Sequence, residues 1–264
     1  MTVVPSMKER ELNEKGSKGR LAFQHVTKQY ENGFVAVKDL SFTVHDGEFL
    51  CILGKSGCGK TTCLHLAAGF EFPTSGAVLA KGDPVSGPGP DRAMIFQSPA
   101  LLPWMSVYKN VILGPKCRHE PQYAELADSL LEEVGLSRFA NAFPYQLSGG
   151  MRQRVAIVRA LIGQPEVLIM DEPFGALDAQ TRLGMQEMLL SIWERRKTTI
   201  MFVTHDVDEA LFLADRVLIM SPHPGRVREA LVVDLPRPRD YRLFADQRFV
   251  NLKRQVMEIL HEKI

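Results

Sequence analysis

The chain has 264 residues, 45% of them apolar and 24% charged, an ordinary globular makeup with ample length for a buried core. Lys plus Arg number 32 against 31 Asp plus Glu, a formal charge of +1, so there is no electrostatic case for nucleic acid as the main partner. No apolar run approaches the roughly 18 residues needed to cross a bilayer, so membrane association is expected only through a partner.

Residues 1–20 are polar and charged and lack the apolar core of a signal segment, so a mobile N-terminal extension is expected there. From Leu21 to Val44 the pattern alternates and is rich in Val, Phe and Thr, broken by Glu31–Gly33. That predicts paired antiparallel strands joined by a turn. Phe49–Leu53 is a short apolar run after the turn at Asp46-Gly47, and a helix is predicted from Lys60 to about Ala68, stopped by Gly69. A short strand at Ala77–Ala80, a loop at Gly82–Asp91 and a strand at Arg92–Phe96 follow. The stretch from about Leu102 to Phe143 is helical in pattern and reads as an insert within an α/β core. A helix near Ser148–Leu161, buried strands at Val167–Met170 and Thr199–Val203, and a helix at Ala179–Arg195 come next. Strands at Arg216–Met220 and Val227–Val233 precede a terminal helix expected over Asp240–Lys263. Buried strands alternating with helices predict a mainly parallel sheet covered on both faces, in which ligands bind at the carboxyl ends of strands.

The strongest signal is FLCILGKSGCGKTTCLHL, Phe49 to Leu66. Gly54, Gly59, Lys60 and Thr61 fit G-x-x-x-x-G-K-[ST] between a strand and a helix. Such glycines let backbone N–H groups approach phosphate oxygens, and the helix directs its positive end at the same place. Lys60 is expected to reach the β- and γ-phosphates, and the Thr61 hydroxyl to hold Mg²⁺. The cofactor-binding set is thus Gly54, Lys55, Ser56, Gly57, Cys58, Gly59, Lys60, Thr61 and Thr62, with ATP and Mg²⁺ as ligands. The cysteines, Cys51, Cys58, Cys63 and Cys117, have no metal-ligand spacing and read as reduced thiols of a cytosolic protein. Cys58, beside Lys60 near a helix N-terminus, is expected to have a lowered pKa and to be inactivated by alkylation, with bound nucleotide protecting it. The alternative is a small residue filling a non-critical place in the loop.

Three further strand ends carry polar residues suited to the same chemistry. Asp171 ends an apolar strand and can hold Mg²⁺; Glu172, next to it, can accept a proton from the water attacking the γ-phosphorus. Gln97 can touch Mg²⁺ or that water, and His205 can hydrogen-bond the γ-phosphate, although a single Gln or His is often structural. Tyr30 can stack on adenine or be ordinary core. LSGGMRQR (147–154) opens a second helix with Ser148, Gly149 and Gly150, a second anion-binding N-terminus in one chain. A second cradle suggests that each chain completes the site of another.

These motifs together resemble the ATP-binding subunit of ABC transporters. GKSGCGKT (54–61) is similar to the Walker A element, VLIMDEP (167–173) to Walker B with its glutamate, and LSGGMRQR to the family signature, with Met151 where Gln is commoner. Gln97 matches the Q-loop, GALD (175–178) with Asp178 the D-loop, Thr204-His205 the H-loop and Tyr30 the A-loop aromatic. The resemblance covers about Leu21 to Val233. It implies a phosphate-loop NTPase core with a mainly parallel sheet, an N-terminal antiparallel β subdomain and an inserted α-helical subdomain at about 98–165. The ATPase domain would span 21–240 and the C-terminal helix 241–264. It also implies a head-to-tail homodimer that sandwiches two ATP molecules, catalysis by Glu172, His205, Gln97 and Lys60, and metal contact from Thr61, Gln97 and Asp171. The partners implied are integral membrane permease subunits and, indirectly, a solute-binding protein, with the chain peripheral on the cytoplasmic face of the inner membrane.

PDRAMIFQSPALLPWMSVYKNV (90–111), MSPHPGRV (220–227) and VDLPRPRD (233–240) are similar to the nitrate/sulfonate/taurine-type import ATPases. Aliphatic sulfonate or taurine is the first expectation for the solute, then nitrate or a pyrimidine vitamin precursor. The alternatives are an ABC-type ATPase acting on DNA or ribosomes, which this single cassette with a short insert and neutral charge disfavours, and a small-molecule kinase, which leaves LSGGMRQR unexplained.

Overall fold

The computed structural model describes residues 19–119 and 123–261; most of the expected N-terminal extension, and Glu262 and Lys263 of the expected terminal helix, lie outside the described residues. The fold divides into two compact units, Pro90–Arg196 and the chain on either side of it, up to Gly89 and from Lys197.

In the first unit, β1 (Leu21–Gln29) pairs antiparallel with β2 (Val35–Val44) as the alternating pattern predicts. Leu21, Phe23 and Val26 are buried while Gln24 and His25 are exposed, so one face of the ribbon makes core. β3 (Phe49–Leu53) is buried at every residue, α1 (Lys60–Ala68) follows it, and β4 (Ser75–Ala80) returns beside β1. The loop expected at Gly82–Asp91 contains a two-residue strand, β5 (Asp83–Pro84), so the antiparallel sheet has the order β2-β1-β4-β5.

The second unit pairs β6 (Arg92–Ile95) in parallel with β7 (Val167–Asp171). Between them the chain is helical, as expected: α2 (Val107–Val111), α3 (Leu113–Cys117), α4 (Tyr123–Glu133) and α5 (Gly149–Leu161). Asn110, fully buried, ties the start of this insert together. Its amide oxygen accepts from Leu102 N and its nitrogen donates to the carbonyls of Leu102, Met105 and Ser106. α6 (Ala179–Arg196) ends the unit, and Glu133 of α4 pairs with both Arg195 and Arg196 at its end.

The first unit then resumes with β8 (Thr199–Thr204), α7 (Val207–Leu213), β9 (Arg216–Ser221) and β10 (Arg226–Val232). β3 lies parallel between β8 and β9, and β10 runs antiparallel on β9. A strand with parallel neighbours on both sides needs cover on both faces, which is why FLCIL is apolar throughout. The architecture is thus the expected one: an antiparallel sheet, mainly parallel pairing elsewhere, and helices.

The terminal helix starts later than expected. Asp240 accepts from Arg242 N at 2.9 Å and starts a 3-10 turn, Tyr241–Ala245. Asp246 then stands in extended conformation and accepts from Arg248 N at 2.8 Å, so the helix proper, α8, is Gln247–His261. Two aspartate turns in succession interrupt a helical pattern that looks continuous by periodicity. VDLPRPRD is largely an anchor. Buried Arg239 donates to the carbonyls of Leu211, Phe212 and Ala214 at the end of α7 and to those of Val233 and Leu235. Arg237 adds Leu213 O at 2.9 Å and Asp215 at 2.8 Å. Guanidinium donors at a helix C-terminus satisfy carbonyls the helix cannot.

Candidate functional site

In the first unit Leu53 and Thr204 are register partners at the carboxyl end of the β3–β8 pair. Gly54 and His205 therefore leave the sheet side by side, with His205 exposed. The loop from Gly54 exposes Lys55, Ser56 and Gly57, and ends at Gly59, which caps α1 in the left-handed region (φ 91). A side chain at Gly59 would also put its Cβ 2.5 Å from Val37. No side chain caps α1 and no acidic residue stands in its first turn. Its leading N–H groups and positive dipole end are therefore directed at the loop, the arrangement that suits a phosphate. Lys60, 6% exposed, donates from Nζ to Gly54 O at 2.8 Å and to Lys55 O at 3.4 Å, so its charge is pinned inside the loop. Thr61 is exposed and Thr62 half-buried.

Cys58 corrects an expectation. It is completely buried, packed against Gly54, so an alkylating reagent has no access to it in this fold. The reading from sequence weighed the helix end and Lys60 but not the tertiary cover. Burial also pushes the thiols of Cys51 and Cys63 well up, and Cys117 is the exposed cysteine.

Sequence reasoning missed what stands behind the loop. Ser221–Arg226 folds over it, with His223 Cε1 3.9 Å from where a Cβ on Gly57 would lie. Gly225 N donates to Ala36 O and Gly225 O accepts from Lys38 N, both at 2.9 Å. A Cβ at Gly225 would fall 2.2 Å from Cys58 O. The available signal was the glycine in MSPHPGRV.

Tyr30 lies just past β1, half-buried, its ring parallel to that of Phe34 with centroids 6.5 Å apart. Its hydroxyl reaches α1 and the residues after it: Thr62 Oγ1 at 3.4 Å and the Glu71 carboxylate at 3.0 and 3.2 Å. Burial, and after it Glu71, pushes the Tyr30 phenol up.

The second unit holds the remaining candidates. Ile95 and Met170 are register partners, so Gln97 and Asp171 lie at the same end of β6–β7. Gln97 Nε2 comes within 3.9 Å of a Cβ built on Gly175. Glu172 has φ 41, the left-handed region that a branched or long side chain rarely adopts, and its carbonyl accepts from Gly175 N at 3.1 Å. The turn rotates Glu172 out of the strand direction that Asp171 follows.

Ser148 caps α5: its hydroxyl oxygen accepts from Met151 N at 3.3 Å, which leaves the O–H to donate outward. Ser148 and Gly149 are exposed; Gly150 is buried against Thr181, where an added Cβ would stand 2.7 Å from Cγ2. Thr181 N in turn donates to Asp178 Oδ1 at 3.0 Å, and the hydrogen bonds from Thr181 hold the Asp178 carboxyl below its ordinary range. LSGG and GALD are thus packed together. Arg159, missed from sequence, donates to the carbonyls of Pro99 and Ala100, both at 2.8 Å, and fixes the segment after Gln97.

The profile of the family described as "ABC transporter" matches residues 37–175. An uncharacterized ABC transporter ATP-binding protein of Methanocaldococcus jannaschii is 45% identical over 94% of this chain and 93% of its own length. The nitrate import ATP-binding protein NrtD of Synechococcus elongatus is 46% identical, covering 87% of this chain and 86% of its own. The bicarbonate transport ATP-binding protein CmpD of the same species is 44% identical over 92% and 91%. Among solved structures, cbiO1 from Clostridium perfringens, part of the ABC transporter complex cbiONQ, superposes with a TM-score of 0.77 at 26% identity, covering 92% of this chain and 98% of that one. The ATP-binding cassette MJ0796, in a dimeric post-hydrolysis state bound to ADP and Pi, gives 0.69 at 29% identity over 82% and 100%.

Proposed function

This chain belongs to the ABC transporter family as one of its ATP-binding, ATP-hydrolysing subunits, and on that premise we propose that it powers uptake of a small oxyanion through a separate membrane permease. The observation that carries the solute class is the 46% identity to a nitrate import protein, beside 44% to a bicarbonate one. Nitrate or bicarbonate is the preferred solute. Sulfonate or taurine, the first expectation from sequence, is named by none of the relatives described above. Among the described residues no helix is long and apolar enough to cross a membrane. The place of cbiO1 in a transporter complex supports a separate permease chain, with this subunit peripheral on the cytoplasmic face of the inner membrane.

The residues divide the work by chemistry. The loop Gly54, Lys55, Ser56, Gly57, Cys58 and Gly59, with Lys60, Thr61 and Thr62, cradles the phosphates, supported by the uncapped start of α1. Tyr30 stacks on the base. Oxygen donors from Thr61, Gln97 and Asp171 suit Mg²⁺, a hard cation, which neutralises phosphate charge when bound. Glu172 is the general base, Gln97 orients the water and His205 hydrogen-bonds the γ-phosphate. Ser148, Gly149, Gly150 and Asp178 serve the nucleotide of a second copy. The dimeric state of the MJ0796 cassette supports that pairing, and the place of cbiO1 in a transporter complex supports a permease partner. A solute-binding protein completes the assembly.

Deleting the chain from its host and following uptake of labelled nitrate, bicarbonate and taurine tests the reading. Loss of nitrate or bicarbonate uptake is expected. Loss of taurine uptake alone would move the solute class, and no change in any of the three would overturn import of these anions.

A further inference from the structure

The aromatic ring at the end of β1 is held by an acid far along the chain. α1 ends at Gly69, and the amides of Phe70 and Glu71 turn back to donate to His65 O at 2.9 and 3.3 Å. That turn delivers the Glu71 carboxylate to the Tyr30 hydroxyl, which donates to its oxygens at 3.0 and 3.2 Å. The same carboxylate meets His65 Nδ1 at 3.1 Å and the Lys28 ammonium at 3.5 Å. Lys28 is itself fixed: it donates to Phe72 O at 2.9 Å and stands over the Tyr30 ring, 5.2 Å from its centroid.

The charges favour one protonation pattern. Burial raises Glu71, but hydrogen bonds from His65 and Tyr30 and the charge of Lys28 outweigh it and leave the carboxyl below its ordinary range. Burial and Glu71 push the Tyr30 phenol up. At neutral pH Glu71 is therefore an acceptor only and Tyr30 a donor, so their hydrogen bond has a single direction. A phenol held at its oxygen cannot swing about its Cα–Cβ bond, and the Phe34 ring and the Lys28 ammonium restrict the plane of its ring; losing that freedom before any ligand arrives strengthens binding.

We propose that Glu71 is a positioning residue for base recognition: it holds the Tyr30 ring in its stacking orientation and so contributes to affinity for the base of a nucleotide and not for its phosphates. This rests on the reading of Tyr30 as the base platform. Thr62, 3.4 Å from the same hydroxyl and next to Thr61, ties the platform to the helix that carries the phosphate loop.

The test compares Mg·ATP with Mg·tripolyphosphate, which lacks the base, for binding to the full chain. Glu71→Ala is expected to weaken ATP about five-fold, a fraction of what a stacked base is worth, and to leave tripolyphosphate unchanged. Glu71→Gln, which keeps an oxygen for the hydroxyl, restores most of the loss. In a Tyr30→Phe background, where no hydroxyl remains to be held, Glu71→Ala costs nothing further. Equal weakening of both ligands, or a Glu71→Ala loss that persists undiminished in the Tyr30→Phe background, would overturn the proposal. Tyr30→Ala separates the two levels. If it leaves ATP affinity unchanged, the platform reading itself falls. If it removes the ATP preference while Glu71→Ala does not, only the positioning role falls.

Discussion

Gly225 and Cys58 meet backbone to backbone: a Cβ on the glycine would stand 2.2 Å from the Cys58 carbonyl oxygen and 2.9 Å from that of Ala36. Neither obstacle is a flexible side chain, so one of two backbones must move. Gly225→Ala is expected to cost about 1–3 kcal/mol of stability and to weaken ATP binding through the displaced phosphate loop. Gly87→Ala, with nothing within 4 Å, is the control. Thermal unfolding and ATP titration of both variants check this, and equal behaviour would remove Ser221–Arg226 as a support of the loop.

Glu172→Gln keeps the shape of the side chain in its left-handed turn and removes the base. ATP binding is expected to survive while turnover falls about 10²–10⁴-fold, the usual worth of a general base. Steady-state hydrolysis beside equilibrium nucleotide binding measures the two effects separately. A variant with near-normal hydrolysis would show that the proton goes elsewhere.

Arg239→Met keeps the apolar stem but withdraws the donors from the five carbonyls of Leu211, Phe212, Ala214, Val233 and Leu235. Several of those acceptors then lie buried without a partner, at about 2–4 kcal/mol in total. Urea unfolding is expected to show that loss with an unchanged m-value. A change below 0.5 kcal/mol, roughly the spread of neutral surface substitutions, would mean that water replaces the guanidinium.

Thiol labelling of the native chain is expected to modify Cys117 and no other cysteine, since Cys51, Cys58 and Cys63 are buried. Raising the pH does not recruit Cys51 or Cys63, because burial pushes both thiols up and keeps them protonated. Mass spectrometry after labelling at pH 7 and 9 reads the sites. Modification of Cys58 at a rate matching Cys117 would contradict its burial.

A pH dependence follows from Glu71. Its folded carboxyl lies below the ordinary value of 4.5, so the stability it contributes is complete above that value and fades as pH falls through the lowered one. Wild type is expected to be more stable than Glu71→Gln at neutral pH, with the gap closing below about pH 4.5. Unfolding midpoints of both proteins across that range decide it; a gap that widens on acidification has the wrong sign.

What local sequence could carry, it carried. FLCIL is apolar throughout because β3 is flanked by parallel strands, and the phosphate loop is contiguous, so both could be read from a few neighbouring residues. The misreadings share a different cause. Cys58 looks activated by its neighbours in sequence, yet it ends fully buried, with Gly225 from far along the chain closing against its backbone. Tyr30 and Glu71 stand 41 residues apart and His65, Lys28 and Thr62 join them only after folding. Arg237 and Arg239 look like turn residues because most of the carbonyls they serve lie at or just past the end of α7, far back along the chain. The start of the terminal helix is hidden in the sequence because its apolar spacing runs through Asp240 and Asp246, whose side chains bond their own backbone.

α5 begins at the serine that caps it and carries Arg159 about 16 Å further along, at 1.5 Å of rise per residue, where the guanidinium grips Pro99 and Ala100. A stiff rod of that kind does not absorb a small displacement; it passes it on. A pull at Ser148 is therefore expected to reach the stretch just beyond Gln97 through the grip of Arg159 on Pro99 and Ala100, so that contact at one tip of the rod and adjustment at the other come together.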